Sequence, residues 1–164
     1  MKSENLIKLK NSGINVPPFD VIKWEDRDKP IDISGYKGKY AVRSSSNIED
    51  GELSSFAGQF DTYLNVKEKD IEKKVKECFD SVNNKNIKEY LSRMNLDESE
   101  IKMDVIIQKM VNSKLSGVIF SSNPEGLLNE TVIVVGQGLG NGIVEDRVDT
   151  TTYYYSNTDD VYYY

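Results

Sequence analysis

The stretch VRSSSNIEDGELSSFAGQ, residues 42–59, sets one guanidinium, Arg43, ahead of five serines, three acids and two glycines. A guanidinium is always charged in proteins, and its planar fork of donors matches phosphate oxygens. The hydroxyls and amides of Ser44, Ser45 and Ser46 could add neutral donors. Gly58 would let backbone approach a ligand closely. Each feature also has a plainer reading. An Arg at a strand end often makes a surface ion pair, and FAGQ can be a bulge or turn before the next strand. Glu49 and Asp50 either orient the loop and Arg43 or are simply solvated.

Two later stretches bear on the same chemistry. VIIQKMV (105–111) sets Gln108 and Met110 in phase, opposite Lys109. It reads as an ordinary amphipathic strand, or as an edge whose backbone pairs with an adenine while Met110 packs on the base. GQGLGNG (136–142) does not fit G-x-G-x-x-G, because its sixth position is Asn141. The pair Gly38-Lys39 precedes Tyr40 and not a hydroxyl residue, so there is no P-loop. No helix with a following acidic strand is evident either, and the glycine run is read as a flexible turn near a ligand.

Composition narrows the classes. The chain of 164 residues is 38% hydrophobic and 29% charged, with a formal net charge of −6. An acidic chain is poorly built to hold a phosphate polymer, so nucleic acid is not expected as a partner. A small phosphorylated ligand needs only one local positive site. There is no histidine. That removes Ser-His and Cys-His nucleophiles, histidine zinc sites and a phosphohistidine within these residues. Any metal would depend on oxygen ligands. The one cysteine, Cys78, recurs in helical phase with Ile71, Val75 and Val82 and reads as a small buried hydrophobe, with a reactive thiol as the alternative. No apolar run approaches the ~20 residues of a membrane span, and MKSENLIKL lacks the apolar core of a signal peptide. A cytoplasmic setting is expected, with no membrane partner.

The elements that would hold these residues are readable by period. A helix is expected over 4–12, then strands over 19–24, 39–45 and 58–66, the last alternating Phe60, Thr62, Leu64 and Val66 with polar positions. Helices are expected over 68–82 and 85–94. Strands follow over 102–111, 115–122 and 131–136. The Tyr- and Thr-rich tail reads as two strands around Asn157–Asp160, an amphipathic hairpin in preference to an aromatic binding platform.

Taken together and in order, these stretches resemble a known family. AVRSSSNIEDGELSSFAGQFDTYLNV (41–66) closely resembles the signature of the ATP-binding domain shared by pyruvate phosphate dikinase, phosphoenolpyruvate synthase and rifampin phosphotransferase. IIQKMVNSKLSGVIFSSNP (106–124) and GQGLGNGIVEDRVDTTTYYY (136–155) are similar to its later blocks, and KSENLIKLKNSGINVPPF (2–19) to its opening. The resemblance implies an α+β, ATP-grasp-like fold, with residues 1–164 as a single nucleotide-binding domain. It implies ATP and Mg2+ as cofactors, with the metal ligands outside these residues. Lys2 and Arg43 would be phosphate contacts and the catalytic cations. Gly58 and Thr62 would lie near the phosphates, and Gln108, Met110 and Val111 around the base.

The family's acidic magnesium segment and Gln-x-Arg motif do not follow Tyr164, and its histidine and substrate domains are not among these residues. A C-terminally truncated domain with an exposed sheet edge is therefore expected. Two functions stay open. One is the ATP-binding part of a dikinase-type phosphotransferase, turning ATP into AMP through a histidine-containing phosphocarrier and a substrate domain on other chains. The other is an inactive remnant or interaction module of the same fold. A sugar- or surface-binding protein built on the tyrosine tail would leave the first 130 residues without a role.

Overall fold

Apolar and β-branched runs bounded by Gly, Pro and polar clusters form the strands, and residues in helical phase form the helices that cover them. The computed structural model describes residues 1–48, 60–94, 97, 101–126, 129–159 and 161–164. The chain divides into two compact units, Met1–Met110 and Val111–Tyr164. The division falls within KMVNSK, which carries no Pro or Gly to mark it. The strands expected on either side of Asn112–Lys114 accordingly belong to different sheets and form no hairpin.

The first unit holds α1 (Lys2–Asn11), β1 (Phe19–Ile22), β2 (Lys39–Ser46), β3 (Thr62–Lys67), α2 (Ile71–Asp80), α3 (Lys85–Met94) and β4 (Met103–Lys109). Its strands form an antiparallel sheet in the order β1-β4-β2-β3. Strand β4 is central, and Met103 to Ile107 are buried without a break. It is thus enclosed on both faces and is not the amphipathic strand that its sequence allowed. Tyr40 and Val42 of β2 pack with Met103, Val105 and Ile107 against Ile71, Val75, Cys78 and Phe79 of α2 and Ile87 and Leu91 of α3. The single tryptophan, Trp24, closes this core, edge-on to Phe79 at 5.7 Å and with Arg27 4.5 Å over its ring.

Two expected elements are shorter or less regular than their periods suggested. The helix expected over 68–82 is α-helical only from Ile71 to Asp80, between 3-10 turns at Glu68–Asp70 and Ser81–Asn83. The strand expected over 58–66 begins at Thr62 (residues 58 and 59 lie outside the described residues), and its alternation breaks. Tyr40 faces Val66 while Val42 faces Tyr63, so β3 carries an extra residue at this point. Asn65 takes the left-handed backbone, φ 58°, which Asn tolerates better than most residues. The bulge puts both Tyr63 and Val66 toward the core.

The second unit holds β5 (Leu115–Phe120), β6 (Glu130–Gln137), α4 (Gly140–Val144), β7 (Thr150–Ser156) and β8 (Val161–Tyr163), with an antiparallel sheet in that strand order. The hairpin expected in the tail is present, and its tyrosines pair across the strands: Tyr154 stacks on Tyr163 at 5.1 Å, and Tyr155 meets Tyr162 at 4.8 Å. The glycine run is not a loose turn. Gly138 takes φ 85°, its amide donates to the Lys114 carbonyl, and its carbonyl accepts from the hydroxyls of Ser113 and Ser116 at 2.9 and 2.6 Å. Helix α4 then begins inside the run. A Cβ at Gly136 would lie 3.0 Å from Ile143, so glycine there admits the helix onto the sheet. Among this unit's described residues Val132 and Ile143 are buried, while Leu115 and Ile119 of β5 are 65% and 69% exposed.

Burial decides the role of Cys78. It is fully buried, and its thiol is pushed up to about 12, first by desolvation and then by the nearby Asp61 and Glu77 charges. The reactive-thiol reading is thereby disfavoured, since the nucleophile is the thiolate. A thiol-specific reagent at pH 8 should label Cys78 in the native chain at least ~100-fold more slowly than in denaturant. Comparable rates would show that the helix does not seal the site.

Candidate functional site

The sheet of the first unit has two unlike faces. Since side chains alternate along strands, Ala41, Arg43 and Ser45 of β2 point away from the helical core, as do Asp104, Ile106 and Gln108 of β4. Register places Arg43 opposite Ile106 on one side and Thr62 on the other. Directly opposed residues stand about 5 Å apart at Cβ. Gln108 faces Ala41, one step along the same face. The structure therefore gathers Arg43, Thr62 and Gln108, distant in sequence, on the face that does not build the core.

Helix α1 lies across part of this face. At its start, the Ser3 amide donates to Ser45 Oγ at 2.9 Å and Ser3 Oγ donates to Asp104 Oδ2 at 2.7 Å. At its end, the Lys10 ammonium sits 5.4 Å over the ring of Phe19, the residue opposite Gln108 on β1. The helix so runs from the β2–β4 seam toward β1. Ile106 beneath is fully buried, while Thr62 on the β3 side is exposed.

Arg43 is the electrostatic feature of the face. Its side chain is half-buried, and its Nε is enclosed with no hydrogen-bond partner. Among the described residues it makes no ion pair, so nothing described supports the surface ion-pair reading. An unpaired buried donor costs about 1–3 kcal/mol, more when charged. The register sets Arg43 opposite the exposed Thr62, on the same face of the sheet.

The remaining predicted residues are less uniformly placed. Lys2 is the first residue of α1, half-buried, and directly precedes the Ser3 anchored to Ser45. Gln108 turns its amide toward the Pro17 carbonyl at 3.4 Å. At the end of β4 the Lys109 amide donates to the Pro18 carbonyl and the Met110 amide to the Lys39 carbonyl, both at 2.9 Å. Met110 is half-buried and Val111 is 54% exposed. Gly58, Glu49 and Asp50 lie outside the described residues. A concavity around Asp20, Asp32, Tyr36 and Tyr40 is lined by none of the predicted residues. Among the described residues no group of three or more His, Cys, Asp or Glu side chains could hold a metal ion, and no helix is long and apolar enough to cross a membrane.

Sequence reasoning missed Asp104, which is 5% exposed and binds both Ser3 and, at 2.8 Å, the Lys23 ammonium. Its signal was present: one acid inside the apolar run MDVII.

Comparison with known proteins places these residues in context. A family model described as the pyruvate phosphate dikinase AMP/ATP-binding domain matches residues 28–162. A phosphoenolpyruvate synthase of Aeropyrum pernix is 40% identical over 162 residues, 96% of this chain and 20% of that protein. An uncharacterized phosphotransferase, YvkC, of Bacillus subtilis is 43% identical over 115 residues, 69% of this chain and 14% of that protein. A rifampicin phosphotransferase of a Streptomyces species is 38% identical over 117 residues, 70% of this chain and 14% of that protein. The chain thus spans a fifth or less of the length of these relatives.

The orphaned donor makes a stability test specific. Arg43→Met keeps the buried stem and removes the unpaired Nε, so without ligand its thermal midpoint should equal or exceed that of the wild type. A midpoint several degrees lower would show that Arg43 supports the fold.

Proposed function

Because the chain belongs to the pyruvate phosphate dikinase AMP/ATP-binding domain family, we propose that it is the nucleotide-binding part of a dikinase-type phosphotransferase. Its class is that family's ATP-grasp-like α+β fold, with helices and two antiparallel sheets. ATP is the ligand that the family supports. The finer assignments are inferences from resemblance and from the Arg43 face. Residues 1–164 act as one nucleotide-binding domain, in a cytoplasmic enzyme.

The observation that carries the reading is Arg43: a guanidinium whose buried Nε has no hydrogen-bond partner, opposite Thr62 in the strand register and within the residues that the family model matches. A sheet that keeps such a donor unsatisfied gains when an anion arrives. In this reading Arg43 and Lys2 hold the phosphates and stabilise the charge that develops on them during transfer, without covalent chemistry. Thr62 and Gly58 approach the same phosphates. By the same resemblance Gln108, Met110 and Val111 would lie around the base.

The described residues do not fit a protein-built magnesium site. Mg2+ would be carried by the phosphate oxygens, with its protein ligands outside these residues. With no histidine in the chain, a phosphohistidine carrier and the substrate domain must be supplied elsewhere. The full conversion of ATP to AMP is then shared between chains or domains.

Calorimetric titration of MgATP into the 164-residue chain, beside Arg43→Ala, tests the reading. The wild type should bind, and the substitution should weaken binding tenfold or more, about 1.4 kcal/mol. Absence of wild-type binding would leave the family fold standing and favour the inactive-module reading.

A further inference from the structure

Helix α1 is held to its sheet in an unusual manner. Its only buried residue is Ser3, while Ile7 and Leu9 are 39% and 40% exposed. A ten-residue helix is marginal without packing, yet this one contributes little apolar surface. Its hydrogen bonds to the sheet come from the first turn, and its last turn adds the Lys10 ammonium over the ring of Phe19. The Ser3 amide, one of the donors that a helix start leaves without an internal partner, is accepted by Ser45, 42 residues away in sequence. Ser45 Oγ in turn donates to Ser3 Oγ at 3.2 Å, and Ser3 Oγ donates to Asp104. Asp104 is nearly buried, and its charge is balanced by Lys23, which remains 43% exposed.

A buried carboxylate is a costly way to attach a helix. Removing the charge from water carries a penalty that an apolar contact would avoid, and pairing with Lys23 only offsets it. What the carboxylate and two hydroxyls provide is direction, because hydrogen bonds fix angle and distance where apolar contact does not. The atoms fixed in this way are next to the anion-facing residues. Ser45 is two residues from Arg43 on the same strand and face, and Asp104 is two residues from Ile106, which lies opposite Arg43. Ser3 directly follows Lys2.

We infer that the Ser3–Ser45–Asp104 network is a positioning device that sets Lys2 against Arg43, so that both cations meet one polyphosphate. None of the three touches the nucleotide. They act through Lys2, and the inference rests on the nucleotide reading above. The Lys23 ammonium, 2.8 Å from Asp104 Oδ2, faces the same carboxylate that accepts from Ser3.

The test uses the full 164-residue chain, with Ser3→Ala, Ser45→Ala and Asp104→Asn titrated with MgATP and with AMP. Positioning through Lys2 predicts that each variant weakens MgATP at least tenfold while AMP affinity changes less than twofold. Ser3→Ala should add nothing further in a Lys2→Ala background, and Ser45→Thr, which keeps the hydroxyl, should restore MgATP affinity. Equal losses for both nucleotides, unchanged MgATP affinity, or independent effects of Ser3→Ala and Lys2→Ala would overturn the inference. If Asp104→Asn does not fold by circular dichroism, the two serine variants and the Lys2 cycle decide the matter alone. Failure of the wild type to bind MgATP sinks the nucleotide reading and this inference with it. Binding that Arg43→Ala weakens and Ser3→Ala does not sinks this inference only.

Discussion

Strand β4 is the constraint on which the first unit depends. It is paired on both edges, with β1 and β2, and enclosed on both faces from Met103 to Ile107. A strand in that position must satisfy every backbone group through its neighbours, which fixes register across three strands at once. That register determines which side chains share a face. One face, with Val105 and Ile107, is committed to packing against α2 and α3. The other receives Asp104, Ile106 and Gln108 and, from β2, Arg43. Core and candidate site are thus the two sides of one sheet, so polar change on one side need not disturb the packing of the other.

The two faces are held by different physics. The core face is closed by apolar surface, which is insensitive to direction and supplies most of the stability. The face of Arg43 carries a short helix fixed by hydroxyls and a carboxylate, with an unsatisfied guanidinium nitrogen beside it. Free energy is given up there in return for defined geometry, as expected where a ligand must be met by groups already in place. A buried Arg43 Nε without a hydrogen-bond partner among the described residues and an Asp104 in an apolar run are both poor choices for stability alone.

Much of this was legible in the residues. Periodicity located the strands and helices to within a few positions, because apolar spacing reflects burial on one side. It erred where burial was two-sided or pairing irregular. VIIQ resembled an amphipathic strand, but Val105 to Ile107 are buried on both faces, since the α1 crossing that encloses Ile106 depends on contacts 101 residues apart. The alternation of Phe60 to Val66 concealed a bulge, because an inserted residue leaves composition unchanged and shifts only the pairing. The glycine run hid a short helix, since it was the space beside Gly136, and not local propensity, that admitted α4. For the site, the type of residue at Arg43 was informative. The unpartnered state of its Nε among the described residues and its register with Thr62 were not, being properties of the sheet.

The aromatic residues are divided unequally between the two units. The only tryptophan, Trp24, belongs to the first, wedged against Phe79. Six of the ten tyrosines, Tyr153 to Tyr155 and Tyr162 to Tyr164, belong to the second, where Tyr154 stacks on Tyr163 and Tyr155 meets Tyr162 at a tilt. The molecule therefore carries two intrinsic optical reporters, one per unit. Indole emission follows the environment of the helical core, and tyrosine ellipticity in the near ultraviolet follows chiefly the ladder of the four-stranded meander. Whether the halves melt together or in sequence can be read from the native chain by choosing the chromophore, without attaching a dye to either.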